Sequence, residues 1–248
     1  MSPDRALADR PWPRRAPLWA VLLLLLGVAQ TLLVVLTLNY ETERAQDQAE
    51  AVAAEAASAL RRELLATVQS LQSLLWSDPP VPQWRVDAAE MLRARRDLLH
   101  LERRDEAMAP VEAVATPYGE APFRFLPRAQ MLAEADAACG NARRTASPQF
   151  SRSYFLPLGA GLGEEAIDVC VPLSGAAGGF MVATLSLGAS LERALATIAP
   201  VPRHEISLVE GDGTRLVREG AVRGAGVYRA DRVVDLPGVT LQLRADSA

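Results

Sequence analysis

Arg152, Ser153 and Tyr154 have the residue types and the close spacing expected of a small-molecule binding site. The arginine guanidinium is a planar fork that matches a carboxylate, and tyrosine provides an aromatic wall that ends in a hydroxyl. Ser151 and Ser153 add two more hydroxyls. The segment therefore predicts one side of a concave site, although an exposed arginine beside a tyrosine of the core would give the same pattern.

No catalytic arrangement accompanies this segment. The two histidines, His100 and His204, have no pattern of nucleophile and base around them. His204 and Glu205 are similar to the phosphoacceptor pair of a histidine kinase, but residues 206–209 favour a strand instead. The sequence contains no CxxC motif and no Cys/His cluster, so we expect neither a metal site nor a cofactor.

Cys139 and Cys170 are the two cysteines of the chain. In an oxidising compartment they could form a disulfide, which would stabilise the fold by about 3 to 4 kcal/mol through loop closure. The alternative is a pair of buried thiols that act as small apolar residues.

The elements that would position these residues follow from local periodicity. Residues 167–173 alternate apolar and polar side chains, which is typical of a half-buried strand, and residues 180–187 form another strand after a glycine-rich turn. Residues 98–104 and 111–116 are predicted as two more strands. We predict helices at 86–97, at 127–139 with Gly140 as its cap, and at 189–198.

A Pro-Val-Pro sequence at 200–202 marks the boundary of a small, mostly β unit. Residues 206–209 and 214–217 flank a Gly-Asp-Gly turn, which is a hairpin signal, and residues 239–244 alternate as a last strand. A unit of this size is marginally stable alone, so we expect it to pack on a neighbouring helix.

Residues 41–76 contain neither proline nor glycine and are rich in strong helix formers. Their apolar residues recur at steps of three and four and form one stripe: Ala45, Ala49, Val52, Ala56, Leu60, Leu64, Val68, Leu71 and Leu75. The pattern predicts one long amphipathic helix, which ends before the prolines at 79–82. The stripe would either pack against the chain's own domain or form the seam of a homodimer.

Residues 18–38 are an apolar run that would reach about 30 Å as a helix, the thickness of a hydrocarbon core. Arginines precede it and glutamates follow it, so the positive-inside rule places the N-terminus in the cytoplasm and residues from about 40 onward outside. The alternative is a cleaved signal peptide, with Arg14 and Arg15 as its basic region and residues 27–29 as its cleavage site. The run continues to spanning length, which favours an uncleaved anchor in a bacterial inner membrane.

The composition fits one membrane span and a folded remainder. The chain has 248 residues, half of them hydrophobic, and a net charge of −4. The part after the apolar run is long enough for one elongated domain or two small ones. Because no basic block follows the span, nucleic acid is not an expected partner.

The order of these features resembles the PDC or Cache sensor domain, a PAS-like extracytoplasmic module of bacterial sensor histidine kinases. The features are the anchor, the long helix, the short helices, residues 152–155, the strand that ends Val171-Pro172-Leu173, and the glycine turn before residues 180–187. The Arg-x-Tyr-Phe element is similar to the ligand-side motif of this family, which usually has proline where this chain has Ser153. The unit after residue 202 resembles the membrane-proximal module of double-Cache dicarboxylate sensors.

The resemblance implies an α+β fold with a PAS-like antiparallel sheet. It also implies that Arg152 and Tyr154 contact a small ligand, with Asp168 on the following strand and Thr184 on the central strand as further contacts. Members of the family usually return to the membrane and then carry kinase, cyclase or chemotaxis modules. This sequence stops at Ala248 before any such module, so we expect either a fragment or a departure from the family.

We therefore predict a cytoplasmic N-terminus (1–17), a transmembrane helix (18–38), a long membrane-proximal helix (40–76), a distal PAS-like sensor domain (77–199) and a small proximal β domain (200–248). The favoured function is the periplasmic ligand-sensing region of a sensor histidine kinase, in which a small molecule, a carboxylate above all, biases two arrangements of the long helix. The alternatives are a bitopic interaction protein that binds no small molecule, and a membrane-anchored periplasmic enzyme.

Overall fold

The computed structural model describes residues 16–76, 79–118, 122–125, 132–159, 162–173, 178–198, 204–220 and 226–247. The chain divides into two compact units, Met1–Asp47 and Gln48–Ala248. Helix α1 (Ala16–Leu75) contributes to both units, and all other helices and strands belong to the second. The fold is α+β with two antiparallel sheets, as predicted.

The first unit contains the apolar half of α1. Among the described residues, this is the one helix that is long and apolar enough to cross a membrane by its length and composition. Its most apolar window is 0% buried, so its leucines and valines have no protein partner within this unit. Such a surface is stable in hydrocarbon and unfavourable in water.

The second half of α1 has a buried stripe. Ala49, Ala56, Leu60, Leu64 and Leu71 are fully buried in the main core of the second unit, which also contains residues from both sheets. The predicted stripe is therefore used for packing within the domain. A dimer of this region would have to use another face of the helix.

Helix α2 (Val81–Ala94) follows the proline-rich break. The predicted start at residue 86 was wrong, because the helix takes Pro82 into its first turn. The first N–H groups of a helix have no partner inside the helix, so a proline there breaks no hydrogen bond. The apolar face of α2 buries Trp84, Ala88 and Leu92.

The first sheet has the strand order β2-β1-β5-β4-β3. Its strands are β1 (Leu98–Arg104), β2 (Pro110–Ala115), β3 (Gln149–Gly159), β4 (Leu162–Pro172) and β5 (Phe180–Ser186). Four of these were predicted from the sequence, whereas β3 was singled out only as a binding segment. All seven residues of the central strand β5 are buried, because both faces of the sheet are covered.

Helix α3 (Leu132–Thr145) covers the outer face of this sheet. The prediction that Gly140 caps this helix was wrong, because the helix continues through it for another turn, and residues 127–131 of the predicted helix lie outside the described ones. Cys139 of α3 is disulfide-bonded to Cys170 of β4, with 5.2 Å between their Cα atoms. The bond fixes the helix to β4, which lies between β5 and β3 in the sheet.

The second sheet has the order β7-β6-β9-β8. Helix α4 (Leu187–Leu195) leads to its strands β6 (His204–Val209), β7 (Arg215–Gly220), β8 (Arg229–Leu236) and β9 (Val239–Ser247). Strand β8 was not predicted, because its sequence mixes charged and apolar residues without a clean alternation. One face of this sheet belongs to the same core as α1, which agrees with the expected packing of the small unit on a helix.

Candidate functional site

Four polar side chains lie side by side on the outer face of the first sheet. We call them the outer-face cluster: His100 on β1, Thr184 on β5, Asp168 on β4 and Tyr154 on β3. The register pairs His100 with Thr184, and Thr184 with Asp168. Since successive side chains of a strand alternate between faces, the neighbours of these residues on the central strands point to the opposite face, where they join the main core.

Two β-bulges place the ends of the cluster on this face. In β3, the step of three residues from Phe150 to Ser153 pairs with a step of only two residues in β4. Because of this extra residue, Tyr154 and Phe150 lie on opposite faces of the sheet. In β1, a similar bulge lies between Leu98 and His100. It allows Leu98 to join the main core while His100 belongs to the outer-face cluster. Bulges often re-aim a side chain next to a binding site, and here two of them flank one cluster.

Asp168 is the centre of the outer-face cluster. Its Oδ1 accepts hydrogen bonds from the Tyr154 hydroxyl at 3.0 Å and from the Thr184 hydroxyl at 2.6 Å. Its backbone N–H donates to the Ser151 hydroxyl at 2.9 Å. Asp168 and Thr184 are 0% exposed and Tyr154 is 8% exposed. A carboxylate held this far from water requires donors around it, and the two hydroxyls supply part of them.

Apolar groups enclose the cluster on both sides. On one side lie Cys170 and Phe180 with the inner surface of α3. On the other side lie Leu156 and Phe123, and the Phe123 ring meets the His100 ring edge-on at 5.1 Å between centroids. Because little water reaches the carboxylate between these aromatic and apolar walls, its electrostatic interactions with neighbouring groups are weakly screened.

A buried ion-pair group stands next to the cluster on the same face. Arg104 of β1 is fully buried and donates to Glu102 at 2.9 Å and to Asp136 of α3 at 2.7 Å. These contacts hold α3 on the sheet at the edge of the cluster. Within the described ranges, no group of three or more His, Cys, Asp or Glu residues is placed to hold a metal ion.

Arg152 and Ser153 are not part of the outer-face cluster. Both line a separate cleft of ≈ 670 Å³ between β3 and the hairpins of the second sheet, and Arg152 is exposed there. Of the residues singled out from the sequence, the structure thus brings Tyr154, Asp168 and Thr184 together and leaves these two apart. The sequence analysis considered His100 without assigning it to this site, because the position of His100 in the cluster depends on the bulge in β1.

The pKa of Glu165 also distinguishes this second region. Burial raises the pKa of its carboxyl above the ordinary value, the nearby charge of Glu210 raises it further, and a hydrogen bond with Ser153 partly opposes both effects. Glu165 of β4, which interacts with the cleft residues Ser153 and Glu210, is therefore easier to protonate than an exposed carboxylate.

No family model and no curated protein matches this sequence. Solved structures do match. The ligand-binding domain of the Pseudomonas aeruginosa PAO1 amino acid chemoreceptor PctB, in complex with L-Arg, has a TM-score of 0.54 at 15% identity and covers 83% of this chain and 95% of its own. The ligand-binding domain of the chemoreceptor PctC from the same organism, in complex with GABA, has a TM-score of 0.51 at 17% identity and covers 86% of this chain and 100% of its own.

The ligand-binding domain of the Pseudomonas fluorescens chemoreceptor CtaA, in complex with L-leucine, has a TM-score of 0.50 at 14% identity and covers 84% of this chain and 97% of its own. At sequence identities this low, the similarity shows that the folds are alike and nothing more. The chain thus has the α+β fold of these chemoreceptor ligand-binding domains.

Proposed function

We propose that this chain is the extracytoplasmic ligand-sensing region of a membrane-bound signal-transduction protein, and that its ligand is a small molecule with an ammonium group, such as an amino acid. The observation that carries the proposal is the fully buried Asp168 carboxylate, to which the Tyr154 and Thr184 hydroxyls donate on one oxygen. A carboxylate is a strong acceptor for an ammonium group, because both partners of such a hydrogen bond are charged.

The ligands named for the solved relatives support this chemistry. PctB was solved with L-Arg and with L-Gln, PctC with GABA, and CtaA with L-leucine and with L-alanine. All of these molecules carry an ammonium group, while their side chains differ. A site built on one buried carboxylate would recognise this common part.

A chain of contacts connects the cluster with α1. Two residues after Thr184, the Ser186 N–H donates to the Asp97 carbonyl oxygen at 2.9 Å. The Asp97 carboxylate pairs with Arg95 at 2.6 Å, and Arg95 pairs with Glu63 of α1 at 2.7 Å. Ligand binding at β4 and β5 would therefore favour one of two arrangements of α1. The size of this shift is limited by the difference in ligand affinity between the two arrangements.

The proposed topology follows from the apolar half of α1. Residues 18–38 span the inner membrane, the arginine-rich N-terminus stays in the cytoplasm, and the sensor region is periplasmic. A periplasmic location suits the disulfide between Cys139 and Cys170. A reporter enzyme that is active only outside the cytoplasm, fused after Ala248, should be active, and activity of a cytoplasm-specific reporter instead would contradict this topology.

The output is proposed to be a sensor histidine kinase, as the resemblance at the level of the sequence suggests. A chemoreceptor is the second candidate, favoured by the solved relatives. Extension of the gene beyond the codon for Ala248 separates the two, because a kinase carries an ATP-binding domain and a chemoreceptor carries a long helical signalling hairpin. A homodimer through the exposed face of α1 is expected in both cases.

The ligand proposal is tested by titration calorimetry of the full chain in detergent with L-Arg, L-Gln, L-leucine and GABA. At least one should bind, and Asp168→Asn should weaken its binding about 10- to 100-fold, because a charge-assisted hydrogen bond contributes about 1.5–3 kcal/mol. Asparagine keeps the acceptor oxygen for both hydroxyls, so this variant should fold. Glu90→Gln removes an exposed charge on α2 and serves as the control.

Two results would contradict the proposal. One is that none of the four compounds binds the wild-type chain. The other is that the Asp168→Asn and Glu90→Gln variants bind the amino acid with equal affinity. In either case the bitopic interaction protein that binds no small molecule would be the better explanation of the fold.

A further inference from the structure

Helix α3 is attached to the first sheet at two points that lie on the same face of the helix. Cys139 is disulfide-bonded to Cys170 of β4, with 5.2 Å between their Cα atoms. Asp136 forms an ion pair with Arg104 of β1 at 2.7 Å. Since residues three apart in a helix are neighbours on its surface, both attachments hold the same face of α3 against the sheet.

The apolar contacts of α3 are weak compared with these two attachments. Among the side chains that the structure describes, its buried face carries only small residues: Ala135, Ala138, Cys139 and Ala142. An alanine buries a single methyl group, so this face removes little apolar surface from water. Without the covalent bond, α3 should therefore open locally before the rest of the domain unfolds.

The disulfide lies next to the outer-face cluster. Cys170 comes two residues after Asp168 on β4, so the two side chains share the outer face and lie about 7 Å apart along the strand. Both cysteines are 0% exposed, so a reductant in water reaches neither sulfur while α3 lies on the sheet. Opening of α3 would expose the two sulfurs and one wall of the cluster together.

We propose that this disulfide is a redox-dependent attachment of α3, which closes one wall of the outer-face cluster in the oxidised chain and releases it in the reduced chain. The reductant is a dithiol of the thiol–disulfide oxidoreductase class. One of its thiolates attacks a sulfur of the disulfide, and its second thiolate resolves the mixed disulfide. The protein thereby gains two electrons and two protons as two thiols, and the dithiol leaves as a disulfide. The link to the cluster rests on the function proposed above, whereas the attachment of α3 does not.

The rate of reduction by dithiothreitol tests the attachment. The full chain in detergent is reduced without denaturant, and the thiols of its two cysteines are alkylated and counted by mass spectrometry. Asp136→Asn removes the second attachment and should accelerate reduction about 10-fold, because a hydrogen bond between charged groups no longer opposes the opening. Glu134→Gln is the matched control, since Glu134 lies in the first turn of the same helix and makes no ion pair with the described residues of the sheet.

Val234→Ala separates local opening from unfolding of the whole domain. Val234 of β8 is fully buried, so its truncation lowers the global stability without a change in α3. If α3 opens locally, this variant and Glu134→Gln should both be reduced at the wild-type rate. Two outcomes would overturn the attachment: equal rates for Asp136→Asn and Glu134→Gln, or an acceleration by Val234→Ala that equals that of Asp136→Asn.

Protection by a ligand tests the link to the cluster. L-Arg, L-Gln, L-leucine and GABA are added in turn before dithiothreitol. A compound that binds only the closed chain should slow reduction about 100-fold at about 100 times its dissociation constant. An unchanged rate with a compound that calorimetry shows to be bound would overturn the link. If none of the four binds, the proposed function and the link fail together, while the rates of the variants still decide whether the disulfide and Asp136 hold α3.

Discussion

The hydrogen bond from Thr184 to Asp168 gives the sharpest test of the outer-face cluster. Thr184→Val keeps the shape of the side chain and removes the hydroxyl that donates to the carboxylate at 2.6 Å. Both residues are fully buried, so no water replaces the lost donor. A hydrogen bond to a charged group contributes about 1.5–3 kcal/mol. For a domain of this size about 1 kcal/mol corresponds to roughly 2–4 °C, so the melting temperature should fall by about 3–12 °C.

Thermal unfolding followed by circular dichroism measures this effect, with Thr197→Val as the matched control. The Thr197 hydroxyl donates to the Ala194 carbonyl oxygen at 2.7 Å, but the residue is exposed and its partner is uncharged. Its substitution should change the free energy of unfolding by no more than about 0.5 kcal/mol. If Thr184→Val melted at the same temperature as Thr197→Val, the reasoning about a buried, hydroxyl-supported carboxylate would be refuted.

Three further predictions concern stability. Replacing Cys139 and Cys170 together by serine should lower the free energy of unfolding in urea by about 3 to 4 kcal/mol, and an unchanged midpoint would argue against the disulfide. Glu165→Gln should raise the melting temperature at pH 7 but not at pH 4. Burial raises the pKa of the Glu165 carboxyl, so its ionisation destabilises the fold, and this cost is present only above the ordinary pKa of a glutamate. An equal effect at both pH values would contradict this reasoning. Gly238→Ala should lower the free energy of unfolding by at least about 1–3 kcal/mol, because the φ of Gly238 is positive and a Cβ atom there would lie 2.8 Å from the Phe150 carbonyl oxygen. A melting temperature equal to that of the wild type would show that the turn can move and would contradict the prediction.

The sequence predicted most elements because periodicity and helix propensity are properties of one segment at a time. The strand at 98–104 was predicted with the bounds that the structure has, and the part of the stripe from Ala49 to Leu75 is the face of α1 that packs in the core. The errors occurred at element ends. Pro82 was taken as a helix breaker and Gly140 as a cap, although each is tolerated at the position it occupies in a longer helix.

The candidate site was predicted in part. The resemblance named Tyr154, Asp168 and Thr184, and the structure places them in one hydrogen-bonded cluster. The same resemblance grouped Arg152 with Tyr154, because both belong to the Arg-x-Tyr-Phe element. The bulge in β3 sends them to different environments, and no local pattern in the sequence announces it.

The sequence by itself determined the apolar helix and most strands, because each depends on interactions between residues close together in the chain. The tertiary structure decided which polar residues meet. The order β1-β5-β4-β3 sets His100, Thr184, Asp168 and Tyr154 beside one another, although they come from distant parts of the chain. Strand order and bulges result from the packing of both sheet faces against helices, and a shift of one residue moves a side chain to the other face.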